Sequence, residues 1–153
     1  MALLAFAADV VTEGTVLGAD RTRTPDEVTR VLGPDFGENR RDDVMWRDYG
    51  LVEFFWERRS RHAPWTGTHF SVQVHRLDRA DPGLVEEAIE KRYGVLTGAR
   101  LRFDDLRASV DGRGGALREV PEASPGCRVY RHSGSQASVV VMDDGYVWSI
   151  SAP

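Results

Sequence analysis

Four side chains that could do chemistry lie in two neighbouring segments with the composition of β-strands. Glu53 and Glu57 lie in the first segment, and His69 and His75 lie in the second. Residues separated by an even number of positions point to the same side of a strand. Carboxylates and imidazoles brought together on one sheet face could bind a metal ion or perform acid–base catalysis. Such residues also decorate sheet faces for solubility and cross-strand pairing alone, and the sequence favours this simpler interpretation.

The first of these segments, Trp46 to Arg58, is the most aromatic stretch of the chain. Its aromatic and β-branched residues predict a strand, preceded by a bend or bulge at Gly50 that relieves backbone strain. Alternation predicts that the core side consists of Val52, Phe54 and Trp56. The same alternation predicts that the side chains on the other side of the strand are Leu51, Glu53, Phe55 and Glu57.

The second segment, Thr68 to Leu77, alternates more regularly. Its predicted core residues are Phe70, Val72 and Val74. Its predicted solvent side consists of His69, Ser71, Gln73 and His75. Two alternating runs close in sequence predict an antiparallel pair with one buried and one solvent-exposed face.

Two helices are expected to pack on this sheet. Thr24 and Glu27 form a capping box with Pro25 at the first helical position, and Gly33 ends that helix. A second helix is predicted over residues 83–93, capped by Asp81-Pro82, with an outer side formed by Glu86, Glu87, Glu90 and Lys91.

The remaining segments complete the expected fold. The apolar start, residues 1–8, lacks a cationic leader and is followed by Asp9, so it is interpreted as a strand or an apolar arm. Residues 35–43 are predicted to be a loop, and 100–103 a short strand followed by a helical turn. Three strands are expected at 127–132, 137–142 and 146–150, with Val140 and Met142 facing Trp148 and Ile150 across a hairpin. The sequence therefore predicts one α+β domain, residues 1–153, with a mostly antiparallel sheet and two main helices packed on one face.

Composition narrows the function. A net charge of −4 disfavours nonspecific binding to nucleic acid or to an acidic membrane surface. No stretch approaches the ~20 apolar residues that cross a bilayer. Cys127, the only cysteine, excludes an intramolecular disulfide or a thiolate cluster and favours a cytoplasmic protein. Because phosphate-binding, nucleophile-elbow and zinc-helix motifs are missing from the sequence, we expect no cofactor, no bound metal and no enzymatic activity.

Two consecutive motifs carry a family resemblance: Pro25-Asp-Glu-Val-Thr-Arg-Val-Leu-Gly33 and Arg47-Asp-Tyr-Gly-Leu-Val-Glu-Phe54. Over about residues 14–77 the chain resembles immunity proteins of polymorphic toxin systems of actinobacterial type. The shared features are a capped helix ending in Leu-Gly and a strand beginning with Tyr-Gly, and they carry no catalytic residue. The resemblance implies a protein that binds a toxin and blocks it. Toxins that act on nucleic acids are commonly basic, so an acidic inhibitor would be steered to them by charge.

The leading hypothesis is therefore a non-enzymatic protein-binding module, an immunity protein that occludes a basic toxin domain. The expected contact residues are the acids of residues 35–43, the outward side of the first strand and a nearby tryptophan, namely Asp35, Glu38, Asp42, Asp43, Glu53, Phe55, Glu57 and Trp65. One alternative is a small metal-dependent or acid–base hydrolase that uses Glu53, Glu57, His69 and His75. The other alternative is a regulatory or structural subunit.

Overall fold

The computed structural model describes residues 1–121 and 123–153. Within this part of the chain, eight strands form a single antiparallel sheet in the order β1-β2-β3-β4-β8-β7-β6-β5. The strands are β1 (Gly37–Arg41), β2 (Val44–Asp48), β3 (Val52–Glu57), β4 (Thr66–Val72), β5 (Leu117–Val120), β6 (Cys127–His132), β7 (Ser138–Met142) and β8 (Val147–Ala152). The predicted α+β class with an antiparallel sheet is confirmed.

The sheet consists of two four-stranded meanders joined side by side. Strands β1 to β4 follow one another directly, as do β5 to β8, and the two groups meet where β4 pairs with β8. Between the meanders the chain forms a 3₁₀ helix (Val74–Asp78), α3 (Glu87–Tyr93) and α4 (Phe103–Gly112). Four α-helices are described where the sequence predicted two main ones, the others being α1 (Ala2–Glu13) and α2 (Pro25–Leu32). All four contribute side chains to one core on the same face of the sheet.

The N-terminal segment is a helix, so its prediction as a strand or an arm was wrong. Leu3, Phe6, Ala7 and Val10 recur at helical spacing and are fully buried. They pack mainly against α4, with further contacts to α3 and β8. An alanine-rich apolar run that is too short for a clear periodic signal becomes a helix because tertiary packing stabilises it.

Helix α2 begins as the sequence predicts. The hydroxyl of Thr24 accepts a hydrogen bond from the Glu27 N–H at 3.2 Å, and the Glu27 carboxylate accepts from the Thr24 N–H at 3.0 Å. The hydrogen bond from the Thr24 N–H to the carboxylate holds the pKa of the Glu27 carboxyl below its usual range. The capping box therefore fixes where α2 starts. The buried side chains of α2, Val28 and Leu32, dock on the sheet.

Residues 35–43, predicted to be a loop, contain the edge strand β1 and the turn into β2. All five residues of β1 are exposed, so no alternating apolar pattern could mark the strand in the sequence. Backbone pairing with β2 and the turn at Asp42, which adopts a φ of 52°, hold it in place. The hairpin therefore depends on its partner strand and on its turn.

The second central segment is shorter than predicted. Strands β3 and β4 pair antiparallel as expected, but β4 ends at Val72 and His75 lies in the 3₁₀ helix that follows. Val74 and Leu77 are buried at the three-residue spacing of that helix. The prediction that His75 shares a strand face with His69 was therefore wrong.

Three further boundaries differ from the sequence predictions. Helix α3 begins only at Glu87, and Glu86, expected to face water, precedes it with 6% of its surface exposed. Residues 100–103 do not form a strand; Phe103 instead begins α4. In the C-terminal hairpin the buried pair is Val139 with Ile150, because the register shifts between Val140 and Val141.

Candidate functional site

The sheet face opposite the helices is the candidate functional site, and we call it the open face. Strand pairing places its side chains in register across the sheet. All of them are half-buried or exposed except Ser71. From β2 to β7 they are Val44, Trp46, Asp48, Glu53, Phe55, Glu57, His69, Ser71, Ser149, Ser151, Ser138, Val140 and Met142.

Three rings stack across neighbouring strands on the open face. Trp46 pairs with Phe55 in register and their ring centroids lie 6.3 Å apart, and Phe55 pairs with His69 at 4.3 Å with nearly parallel planes. The Thr68 hydroxyl lies 3.0 Å from the His69 Nδ1. Burial lowers the pKa of His69, which favours a neutral imidazole. The three rings form a rigid, largely uncharged platform, which we call the aromatic platform.

The end of the sheet beside this platform carries acidic side chains together with Arg41, which pairs with Val44 and shares its face. Glu57 and Val44 pair in register, both are exposed, and the turn at Asp42 and Asp43 lies next to them. Asp43 binds Arg58 at 3.0 Å. Within residues 1–121 and 123–153, the carboxylates of Asp42 and Glu57 take part in no ion pair or side-chain hydrogen bond. Apolar, aromatic and charged groups of both signs therefore occupy one continuous corner of the sheet.

The other end of β3 is polar but internally satisfied. The Arg76 guanidinium, from the 3₁₀ helix, donates to Asp48 at 3.1 Å, to Glu53 at 2.9 Å and to the Gly50 carbonyl at 2.6 Å. The amide of Gln73 also donates to Glu53. Glu53, predicted as a contact residue, is thus already engaged by Arg76 and Gln73 within the chain.

The structure separates the other expected contact residues. Glu38 projects to the helix side and binds Arg47 at 3.1 Å. Trp65 packs beside the core, and the guanidinium of Arg58 lies 4.4 Å from the centroid of the Trp65 ring. Asp35 borders a cleft between α2 and α3. Of the eight residues expected to contact a partner, those that share the corner beside the aromatic platform are Asp42, Asp43, Phe55 and Glu57.

The four side chains that could have formed a catalytic or metal site do not come together. Phe55 lies between Glu53 and Glu57 along β3, and His69 stacks on that ring. His75 lies on the 3₁₀ helix and stacks on Trp148. Across the described residues, no three His, Cys, Asp or Glu side chains are grouped closely enough to hold a metal ion.

Two tryptophans, one on the open face and one beside it, have positions that the sequence does not predict. The sequence predicts Trp46 only as part of a strand, whereas its place beside Phe55 depends on the register of β2 with β3. Trp148 is predicted to pack across the C-terminal hairpin, but its side chain points outward and 44% of its surface is exposed. The register shift between Val140 and Val141 leaves Trp148 of β8 without a paired residue and so sets this orientation, and nothing local in the sequence marks it.

The chain was also considered for membrane-spanning helices and for similarity to known proteins. None of the helices formed by its described residues combines the length and the apolar character needed to span a bilayer. Neither a family model, a characterised protein nor a solved structure gives a significant match to the chain.

Proposed function

We propose that this protein is a non-enzymatic binding module, an immunity protein whose open face binds and occludes a cognate toxin in the cytoplasm. The observation that supports the proposal best is the aromatic platform of Trp46, Phe55 and His69 beside the carboxylates of Asp42 and Glu57, which form no ion pair within the described residues. Protein interfaces commonly combine a central aromatic cluster with a polar rim.

The platform suits binding because its rings are already ordered. Trp46, Phe55 and His69 lie on three adjacent strands of an antiparallel sheet, and ring stacking limits their freedom further. A partner that covers them therefore spends little free energy on ordering side chains. Tryptophan and other aromatic residues at such centres commonly carry most of the binding free energy.

The charge of the whole chain suits a basic partner. Its net charge of −4 produces a negative field, and at the corner the carboxylates of Asp42 and Glu57 are available to cationic groups of the partner next to Arg41. Opposite charge on a toxin would accelerate encounter and orient the docking. This field adds selectivity for basic partners to the affinity that aromatic burial supplies.

The two alternatives receive less support from the geometry. A hydrolase would need Glu53, Glu57, His69 and His75 in one site, and Phe55 and the ring of Trp148 keep them apart. A regulatory subunit with a different partner would use the same face, and the identity of the captured protein distinguishes it from an immunity protein.

The test captures the protein partner by pull-down with the purified chain, identifies it as a toxin or as another protein, and measures its binding to purified variants. Phe55→Ala, which removes the central ring of the platform, is expected to weaken binding by about 30-fold, since central aromatic anchors contribute about 2 kcal/mol or more. The double variant Asp42→Asn with Glu57→Gln is expected to slow association mainly and to reduce its dependence on salt. Surface plasmon resonance at two salt concentrations measures both.

The matched control is Asp105→Asn with Asp111→Asn, which removes the same charge from exposed positions of α4. It should leave the association rate close to that of the wild-type protein. A control that slows association as much as the double variant would show that net charge alone is responsible. Unchanged affinity of Phe55→Ala would remove the platform from the interface, and absence of any toxin binding would refute the immunity function.

A further inference from the structure

Trp148 forms a second aromatic feature beside the open face. It is exposed for 44% of its surface, yet its ring is fixed by the imidazole of His75, which lies parallel at a centroid distance of 4.1 Å. The Nδ1 of His75 also lies 3.2 Å from the Trp148 carbonyl oxygen. A large apolar ring held rigidly and left uncovered is typical of a binding anchor.

A second planar stack faces this one across a small hollow. The guanidinium of Arg100 lies over the ring of Tyr146 at 3.6 Å from its centroid. Between the two stacks is a hollow of about 190 Å³, with Val147 and Met142 among its lining residues. Since ligand pockets for small molecules usually exceed about 300 Å³, this hollow suits one long side chain.

The charges around the hollow leave a negative excess. Arg100 lies between Asp144, at 3.0 Å, and Asp78, at 3.8 Å. The Tyr146 N–H and Arg100 hold the pKa of the Asp144 carboxyl below its usual range, so this group is charged at neutral pH.

The neighbouring guanidinium of Arg76 is likewise shared by two carboxylates, Asp48 and Glu53. These outer charges are balanced by Arg102, whose guanidinium lies 5.6 Å from the centroid of the Tyr146 ring. The hollow itself is lined by two carboxylates, Asp78 and Asp144, and by the guanidinium of Arg100, which leaves one negative charge. Arg79 and Asp81 border the other side of Trp148 and cancel each other.

We propose that the hollow between the His75–Trp148 and Arg100–Tyr146 stacks receives one lysine or arginine side chain from the protein partner. This inference rests on the proposed function, because it assumes a protein partner, and it specifies the chemistry of a second contact. The aliphatic stem of the incoming residue would lie over Met142 and Val147, and its cationic head would reach the rim carboxylates. Trp148 would cover the stem and attract the cation through its ring face.

The experiment needs no toxin. Blocked peptides with a glycine–glycine–X–glycine–glycine sequence, where X is lysine, norleucine or glutamate, are titrated into the labelled full chain. The indole N–H of Trp148, assigned with the Trp148→Phe variant, is followed by NMR. The lysine peptide is expected to shift this signal saturably with a dissociation constant of about 1–10 mM, and the norleucine peptide to bind about tenfold more weakly. The glutamate peptide should produce no saturable shift.

The carboxylates are tested with Asp78→Asn and Asp144→Asn together, since asparagine retains the acceptor that binds the Tyr146 N–H. This variant should lose about tenfold in lysine-peptide affinity, whereas Asp105→Asn with Asp111→Asn should retain it. Equal shifts by the lysine and norleucine peptides would indicate a purely apolar contact and overturn the inference, as would no shift at about 10 mM. Peptide binding without toxin binding would refute the immunity function alone, and toxin binding without peptide binding would refute the hollow alone.

Discussion

Replacing Gly50 with alanine is expected to lower the free energy of unfolding by at least about 3 kcal/mol. Gly50 has a φ of 117°, which residues with a side chain rarely adopt. A Cβ built on Gly50 would also lie 2.0 Å from the carbonyl oxygen of Leu84. Urea unfolding followed by tryptophan fluorescence measures the loss.

The chain around Gly50 has little room to relax. The Gly50 N–H donates to Asp48 at 2.9 Å, and its carbonyl accepts from Arg76. Leu84, on the other side of the contact, lies two residues before Glu86, whose carboxylate accepts a hydrogen bond from the Val52 N–H. A shift of either segment would therefore break hydrogen bonds in order to remove the collision.

Gly33→Ala is the matched control. Gly33 has a similar φ of 107°, but no atom of the described chain lies within 4 Å of the position where its Cβ would stand. Its loss of stability measures the backbone strain alone, about 1–3 kcal/mol. A Gly50→Ala variant no less stable than Gly33→Ala would show that the contact with Leu84 does not matter. The expected larger loss in Gly50→Ala would also explain the Tyr-Gly motif, since only glycine lets the backbones at Gly50 and Leu84 come into contact.

The parts of the fold that the sequence predicts are those with local chemical signals. The capping box at Thr24 and the Asp143-Asp-Gly145 turn act over a few residues, and both lie where the sequence places them. Alternation in β3 also gives the correct faces, because Phe54 and Trp56 are buried while Phe55 and Glu57 lie outward. Each of these features needs no knowledge of distant segments. The prediction that Leu51 lies outward was wrong, because Leu51 precedes the strand and is fully buried.

The remainder depends on contacts between segments far apart in sequence. Strand β1 exists because β2 pairs with it, and α1 exists because its apolar residues meet α4. The burial of Glu86 and the ion pairs of Arg76 with Asp48 and Glu53 are likewise long-range contacts. The candidate face could thus be predicted for Phe55 and Glu57, but the roles of Glu53 and Trp148 required the three-dimensional arrangement.

Replacing Glu86 with glutamine is expected to stabilise the protein at neutral and alkaline pH. The Glu86 Oε1 accepts a hydrogen bond from the Val52 N–H at 3.0 Å, while its Oε2 is buried and has no partner within the described chain. Burial raises the pKa of the Glu86 carboxyl from 4.5 to about 7, and the charge of Asp48 acts in the same direction. Glutamine keeps the acceptor for Val52 and removes the buried charge.

The gain in stability depends on pH in a defined direction. Between pH 4.5 and about 7 the folded protein retains the Glu86 proton that the unfolded chain has released, so wild-type stability falls as the pH rises. The full penalty is about 3 kcal/mol, and it is reached only above the folded-state pKa. The advantage of Glu86→Gln over the wild-type protein should therefore grow across this window and then level off.

Urea unfolding of both proteins at several pH values below 4.5, within the window and above 7 measures this difference directly. Glu87→Gln is the matched control, because Glu87 is the exposed neighbour at the first position of α3. Its stability difference from the wild-type protein should change little over the same range, since an exposed carboxylate loses little hydration on folding. A stability advantage of Glu86→Gln that stays constant with pH, or that shrinks as the pH rises, would show that Glu86 enters the folded protein already charged and is compensated there. In that event the anchoring of α3 to β3 would rest on an ionised carboxylate, and protonation at low pH would weaken it.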